Sequence, residues 1–292
     1  MIDQPGFYRM PATAYHADPV IDPSLSSSIA RVALDRSLEH ARIKHPRLTP
    51  REPEEPHASR DWGSAVHRLT LGAGPEIAVV QGFDDWKKKD AQTARKAAYA
   101  AGEIPMLAGD FDEAVKAAAR LRAHLTEIVG TDFDAEQVLI WRERSQWCRT
   151  MLDAVSPDRR IVVDLKTTGL SVRPGADLNR KIDGDGYDFQ LAFQERGLDA
   201  LDPEGRGRRK FHLLWQENEP PYATSCTEIT EGALALMRKH VIAGINMWTH
   251  ARESDEWPGY QRTPSRYEKP AWSENALIER ELAEPHLFEE VR

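Results

Sequence analysis

Cysteine is nearly absent: Cys148 and Cys226 are the only two among 292 residues. Two thiols supply neither a four-cysteine zinc site nor an iron–sulfur cluster within one chain, and they build no disulfide framework. The expectation is a reduced, cytoplasmic protein. Long apolar runs are missing as well. No stretch approaches the ~18 consecutive apolar residues that a spanning helix needs, so no membrane association is expected. The opening Met1-Ile2-Asp3-Gln4-Pro5 lacks the basic-then-apolar order of a signal peptide. No internal repeat or low-complexity tract interrupts the chain. Positive charge is in the minority, with 39 Lys and Arg against 47 Asp and Glu and a net charge of −8. That speaks against a uniformly basic surface but not against a local one, because local fields follow clusters rather than totals. Three basic clusters stand out: Arg36 to Arg51, Lys87 to Lys96, and Arg206 to Lys210. Each by itself is explained as well by a solvated face.

What is present is a chain of helical patterns interrupted by a block of strand formers. Ser24, Ser26, Ser27 and Ser28 offer caps for a helix over 27–44, and the prolines at 46, 50, 53 and 56 mark a loop. Helices are expected over 60–71, 85–101 and 110–128, with a short strand at 77–81. Residues 136–142 and 147–155 read as a hairpin, followed by the β-branched run Ile161-Val162-Val163 as a central strand. Residues 167–185 read as a polar loop, 187–198 as a helix, 210–215 and 222–227 as strands, and 230–253 as a long amphipathic helix. The order predicts an α/β (α+β) fold with a mixed central β-sheet flanked by helices. We divide it into an N-terminal helical lead-in at 1–58, a core at 59–272 and an acidic C-terminal tail at 273–292.

The chemistry concentrates at the end of the central strand. Asp164 and Lys166 alternate with Val163 and Leu165, so the two charged side chains share a face. Asp153 on the preceding strand is brought alongside by the turn 157–160. Two adjacent carboxylates repel unless protonated or neutralised, and a hard dication with oxygen ligands and open water positions resolves the conflict. Such an ion, Mg²⁺ or Mn²⁺, polarises a phosphoryl oxygen and activates water, while a neighbouring lysine stabilises developing negative charge. Asp-x-Lys alone fits a surface ion pair equally well. Its place after an Ile-Val-Val strand, with a second acid one turn earlier, is what points to hydrolysis of a phosphodiester.

Met151-Leu152-Asp153 together with Ile161-Val-Val-Asp164-Leu-Lys166-Thr-Thr168 resembles the core of the PD-(D/E)xK nuclease superfamily, and within it the RecE-like, exodeoxyribonuclease VIII-type exonucleases of phages and prophages. Tyr15-His16 and Ser24 to Ser28 resemble the N-terminal part of that group, and Pro258-Gly-Tyr260 and Pro270-Ala-Trp272 its C-terminal end. Gly63-Ser-Ala-Val-His67 resembles its histidine-bearing helix, and Tyr187-Asp-Phe-Gln190 the start of its glutamine motif. The resemblance implies a restriction-endonuclease-like core. It implies Asp153, Asp164 and Lys166 as catalytic residues; His67, Asp153, Asp164 and the carbonyl of Leu165 as metal ligands; and Gln190 and Tyr187 as substrate contacts. It further implies Mg²⁺, with Mn²⁺ as an alternative, and double-stranded DNA as substrate. A single-strand annealing protein as partner and a ring-shaped homo-oligomer follow from the same likeness. Gln194 stands where the group has a tyrosine, and Leu152 where it has proline. Glu136 and Glu143 are further acids near the strand ends, with roles left open. Two other readings stay in play: a RecB-like endonuclease or single-strand nuclease, and a catalytically silent DNA-binding protein that keeps the fold.

Overall fold

In the computed structural model, residues 1–49 and 58–289 are described. The chain opens with a short strand, β1 (Gly6–Tyr8), and a short helix, α1 (Ala12–His16). Helices α2 (Ser27–Asp35), α3 (Leu38–Lys44) and α4 (Ala58–Leu71) follow. Strand β2 (Ile77–Val80), helix α5 (Lys89–Ala100) and strand β3 (Ile104–Leu107) form a small βαβ unit with its two strands parallel. Helix α6 (Ala108–Val129) leads into β4 (Asp134–Glu143), β5 (Gln146–Val155) and β6 (Ile161–Thr168). Helices α7 (Ala176–Asp185) and α8 (Tyr187–Leu201) cross over to β7 (Lys210–Glu217), followed by β8 (Thr224–Glu228) and α9 (Glu231–Ser254). Met1–Gly259 is one compact unit, and Tyr260–Arg292 is a second, whose described part carries α10 (Ala271–Ala283).

The main sheet has six strands in the order β1-β4-β5-β6-β7-β8. Only β6 and β7 run parallel; the other neighbours are antiparallel. This is the mixed, helix-flanked sheet that the element order predicts. The α7–α8 crossover makes the parallel pair possible, since a tight turn cannot join parallel neighbours. β6 separates two apolar layers. Val162, with Leu213 and Trp215, joins the layer that holds Phe189, Phe193 and Trp248. Val163 and Leu165 join the opposite layer with Val66, Leu121 and Leu214. A strand buried on both faces is apolar throughout, so the charged pair at its end requires a compensating environment.

Several elements differ from expectation. The single helix over 27–44 breaks at Ser37, whose hydroxyl accepts from the His40 backbone N–H and restarts the chain as α3. The polar stretch 167–185 contains α7, ended by Gly186 in the left-handed region. Residues past 257 include α10. The lead-in segment contributes a strand to the sheet, as β1 pairs with β4 from Gly6↔Ile140 to Tyr8↔Val138. Three residues are too few to show a period, so only the pairing reveals it. Of the proline-rich loop expected from the sequence, residues 50–57 lie outside the described ones.

Helix α8 lies close on the sheet at Gly197, where a Cβ would stand 2.8 Å from a ring carbon of Trp141. That ring is buried and held by its Nε1 donating to Glu143 Oε1 at 3.0 Å. Gly197→Ala is therefore expected to destabilise the protein by about 1–3 kcal/mol through overpacking. Chemical denaturation measures this; an unchanged midpoint would mean that the helix can lift at no cost.

Candidate active site

The β5–β6 ladder is short. Its pairs are Val155↔Val162 and Ala154↔Val163. The next position in the same register sets Asp153 against Asp164, where regular pairing has stopped. The backbone N–H of Leu165 donates there to Asp153 Oδ2 at 2.8 Å. The carboxylate thus takes the place of a strand partner. This opening brings Asp153 and Asp164 together, as the turn 157–160 predicts.

Asp164 is 2% exposed. Its Oδ1 accepts from Gln190 Nε2 at 2.7 Å. Its Oδ2 has the Lys166 ammonium 2.6 Å away, yet outside hydrogen-bonding direction, and is otherwise unpartnered. Lys166 also donates to Gln190 Oε1 at 3.4 Å and lies over the Tyr187 ring, 4.4 Å from its centroid. Both α8 residues singled out in the sequence therefore meet the strand. Gln194, one turn beyond Gln190, is fully buried and donates to the Met151 carbonyl at 3.3 Å, so the residue in the tyrosine's place braces β5 from below.

His67 approaches from α4 on the other face of β6. Its Nδ1 is 4.0 Å from Asp153 Oδ2, and the Leu165 backbone beside the ring acts to raise its pKa. The four residues implied as ligands thus surround one strand end.

The electrostatics record the crowding. Burial, then the Asp164 charge, push the Asp153 carboxyl up to about 7, against the pull of Lys166. Burial, then Lys166, hold the His67 imidazole down to about 4, which keeps it neutral with a lone pair at neutral pH. Burial works to lower the Lys166 ammonium, but the charges of Asp164 and Asp153 outweigh it and its pKa is raised. Burial, followed by smaller influences, raises the Tyr187 phenol.

Glu136 extends the acidic row. On β4 it stands in register with Asp153, between the pairs Ala135↔Ala154 and Gln137↔Leu152, and it takes a left-handed φ of 48°. Burial raises its carboxyl, and its charge contributes to the elevation at Asp153. Sequence alone left its role open, because alternation does not show that the residue is twisted out of the ladder. Glu143 has a structural role at the far end of β4: Arg196 grips it with two bonds of 2.7 and 2.8 Å, and the Trp141 indole donates to it.

Among the described residues, no group of three or more His, Cys, Asp or Glu side chains is assembled closely enough to form a ready-made metal cage. The donor set still fits a hard dication. It offers two adjacent carboxylates of like charge, a buried carboxylate oxygen met only by the Lys166 ammonium, and a neutral imidazole. An ion that keeps several waters needs no complete protein cage.

The chain belongs to the family described as the PDDEXK-like domain of unknown function (DUF3799), which matches residues 45–263. Among solved structures, a candidate exonuclease from Eubacterium rectale superposes with a TM-score of 0.59 at 13% identity, covering 91% of this chain and 96% of that one. At that identity the likeness speaks to the fold alone. An alkaline exonuclease from Laribacter hongkongensis gives a TM-score of 0.28 at 11% identity over 68% of this chain and 98% of that one, too low to carry an argument. No curated protein matches the chain.

The burial of Asp153, together with the Asp164 charge beside it, makes a stability prediction. The native Asp153 carboxyl binds its proton more tightly than the unfolded one, so metal-free protein loses stability as pH rises from the ordinary carboxylate range through about 7. Asp153→Asn removes this loss while its side-chain oxygen still accepts from Leu165. At pH 8 the metal-free variant is expected to be more stable by on the order of 1–2 kcal/mol, or about 2–8 °C in melting temperature. The gap should narrow at pH 5. Equal melting temperatures at pH 8 would contradict the raised carboxyl.

Proposed function

From its membership of the PDDEXK-like family, we propose that this chain is a divalent-metal-dependent DNA nuclease, and specifically an exonuclease acting on linear double-stranded DNA. The observation that carries the reading is the meeting of Asp153, Asp164 and Lys166 at the open end of the β5–β6 ladder, with His67 on one side and Gln190 on the other. A silent DNA-binding relative has no need to hold two repelling acids and a lysine in one partly buried place.

Asp153, Asp164, His67 and the Leu165 carbonyl would hold the ion, Mg²⁺ or Mn²⁺. When bound, it supplies Lewis-acid polarisation of a phosphoryl oxygen and a water of lowered pKa. Lys166 is the residue proposed to orient the attacking water and to stabilise the negative charge that develops as the new O–P bond forms and the old P–O bond breaks. Gln190 fixes the Asp164 carboxylate through Oδ1 and steadies Lys166 through Oε1. Tyr187 confines the ammonium from the other side. Gln190 and Tyr187 also line a cavity of about 310 Å³ whose charged lining is mixed, with Arg31 and Arg36 beside Asp35 and Asp185. A RecE-like role in phage-type recombination, with a single-strand annealing protein as partner and a ring-shaped assembly that keeps the enzyme on its substrate, completes the proposal.

Purified protein with end-labelled linear duplex DNA and Mg²⁺ is expected to release nucleotides progressively from the ends. Lys166→Ala should lower the rate by at least about 10³-fold, as the loss of a transition-state charge contact does. Gln190→Ala should lower it by about 10–100-fold, as for a residue that orients a metal ligand. Cutting of closed circular DNA would replace the exonuclease by the RecB-like endonuclease, and full activity of Lys166→Ala would remove the mechanism.

A further inference from the structure

We propose that Gly63 is a positioning residue: its missing side chain lets α4 lie close enough to β6 for His67 to reach the acidic pair. The inference rests on the nuclease reading and concerns how the proposed site is held together.

Gly63 is in the interior of α4, where an alanine would favour the helix by roughly 1 kcal/mol. Its backbone is not in the left-handed region that favours glycine, so helical geometry gives no reason for it. The reason is on the strand. A Cβ built on Gly63 would stand 2.8 Å from Thr167 Oγ1, the one close contact beyond its own helix among the described residues. A methyl there has to be accommodated by roughly half an ångström or more of retreat. Thr167 alternates with Lys166, so it belongs to the α4 side of β6, the side of Val163 and Leu165.

His67 is four residues after Gly63, one turn along the same helical face. Its ring lies beside the Leu165 backbone, two residues before Thr167 on the strand. Helix and strand thus meet at two successive points, Gly63 on Thr167 and His67 on Leu165. The spacing set at the first point determines the reach at the second. That reach has little slack, because His67 Nδ1 is already 4.0 Å from Asp153 Oδ2. The neighbouring Trp62 ring stacks on Tyr222 at 5.9 Å, and Ala65 and Val66 are fully buried, which opposes rotation of the helix as a way to relieve the contact.

Four full-length chains test this: wild type, Gly63→Ala, Thr167→Ala and Gly63→Ala/Thr167→Ala. Titration calorimetry with Mn²⁺ is expected to show Gly63→Ala binding about 10–100-fold more weakly, the range seen when residues supporting metal ligands are lost. Its metal-free melting temperature should change little, because the helix gain of roughly 1 kcal/mol offsets strain against a single hydroxyl rather than a buried ring. Thr167→Ala should bind normally, and the double variant should recover to within about threefold of wild type, because the obstructing hydroxyl is gone. Wild-type Mn²⁺ affinity in Gly63→Ala would overturn the proposal, and so would a double variant no better than the single one. If Gly63→Ala fails to fold, Thr167→Leu pushes on the same contact from the strand, and unchanged affinity in that chain would overturn the proposal equally. If the wild type binds no Mn²⁺, the nuclease reading fails separately. Crystal structures of the metal-free chains then decide: the His67–Asp153 separation must widen beyond 4.0 Å in Gly63→Ala and return in the double variant. An unchanged separation would overturn the proposal.

Discussion

Two carboxylates of like charge face each other where the β5–β6 ladder opens, and the surroundings are organised around that conflict. Asp153 is anchored by the Leu165 N–H, and Asp164 is held by Gln190 with Lys166 beside it. Neither arrangement offsets the burial of Asp153 and the Asp164 charge beside it, since the Asp153 carboxyl remains elevated to about 7. The Lys166 ammonium serves both aspartates, and a third acid next in the row, Glu136, is only partly offset by Arg68. The proposed cation would supply the missing positive charge.

The fold distributes the parts over different elements. The sheet supplies the acids and the lysine, because alternation on β6 separates the charged face from the apolar one. The two helices act from opposite faces: α8 delivers Gln190 and Tyr187, and α4 delivers His67. Each helix carries a glycine at a close contact with the sheet, Gly197 on Trp141 and Gly63 on Thr167. Short side chains at such points fix the distance between layers and so set the geometry of groups one or two turns away. The Arg196–Glu143 pair fastens the far part of α8 to β4, which gives a plain structural function to an acid that sequence could not place.

Much of this was legible in the sequence, for identifiable reasons. The β-branched run before Asp164 announced a central strand, and period-two alternation put Asp164 and Lys166 on one face. The short turn after Val155 placed Asp153 beside them. The features that stayed hidden depend on pairing rather than on local pattern. β1 is three residues long, and β3 contains a proline that argues against a strand until its parallel partner β2 is seen. The break at Ser37 was masked by the good helix formers around it. The twist at Glu136 and the approach of Gly63 to Thr167 are properties of contacts between distant residues, which no single-sequence period records.

Diffraction from crystals soaked in Mn²⁺, recorded at the manganese absorption edge, addresses the acidic pair directly. An anomalous peak is expected about 2.0–2.3 Å from carboxylate oxygens of both Asp153 and Asp164, and Asp164→Ala should abolish it. Absence of a peak between the two aspartates at saturating Mn²⁺, or one that persists in Asp164→Ala, would contradict a metal-dependent site at the open end of the ladder.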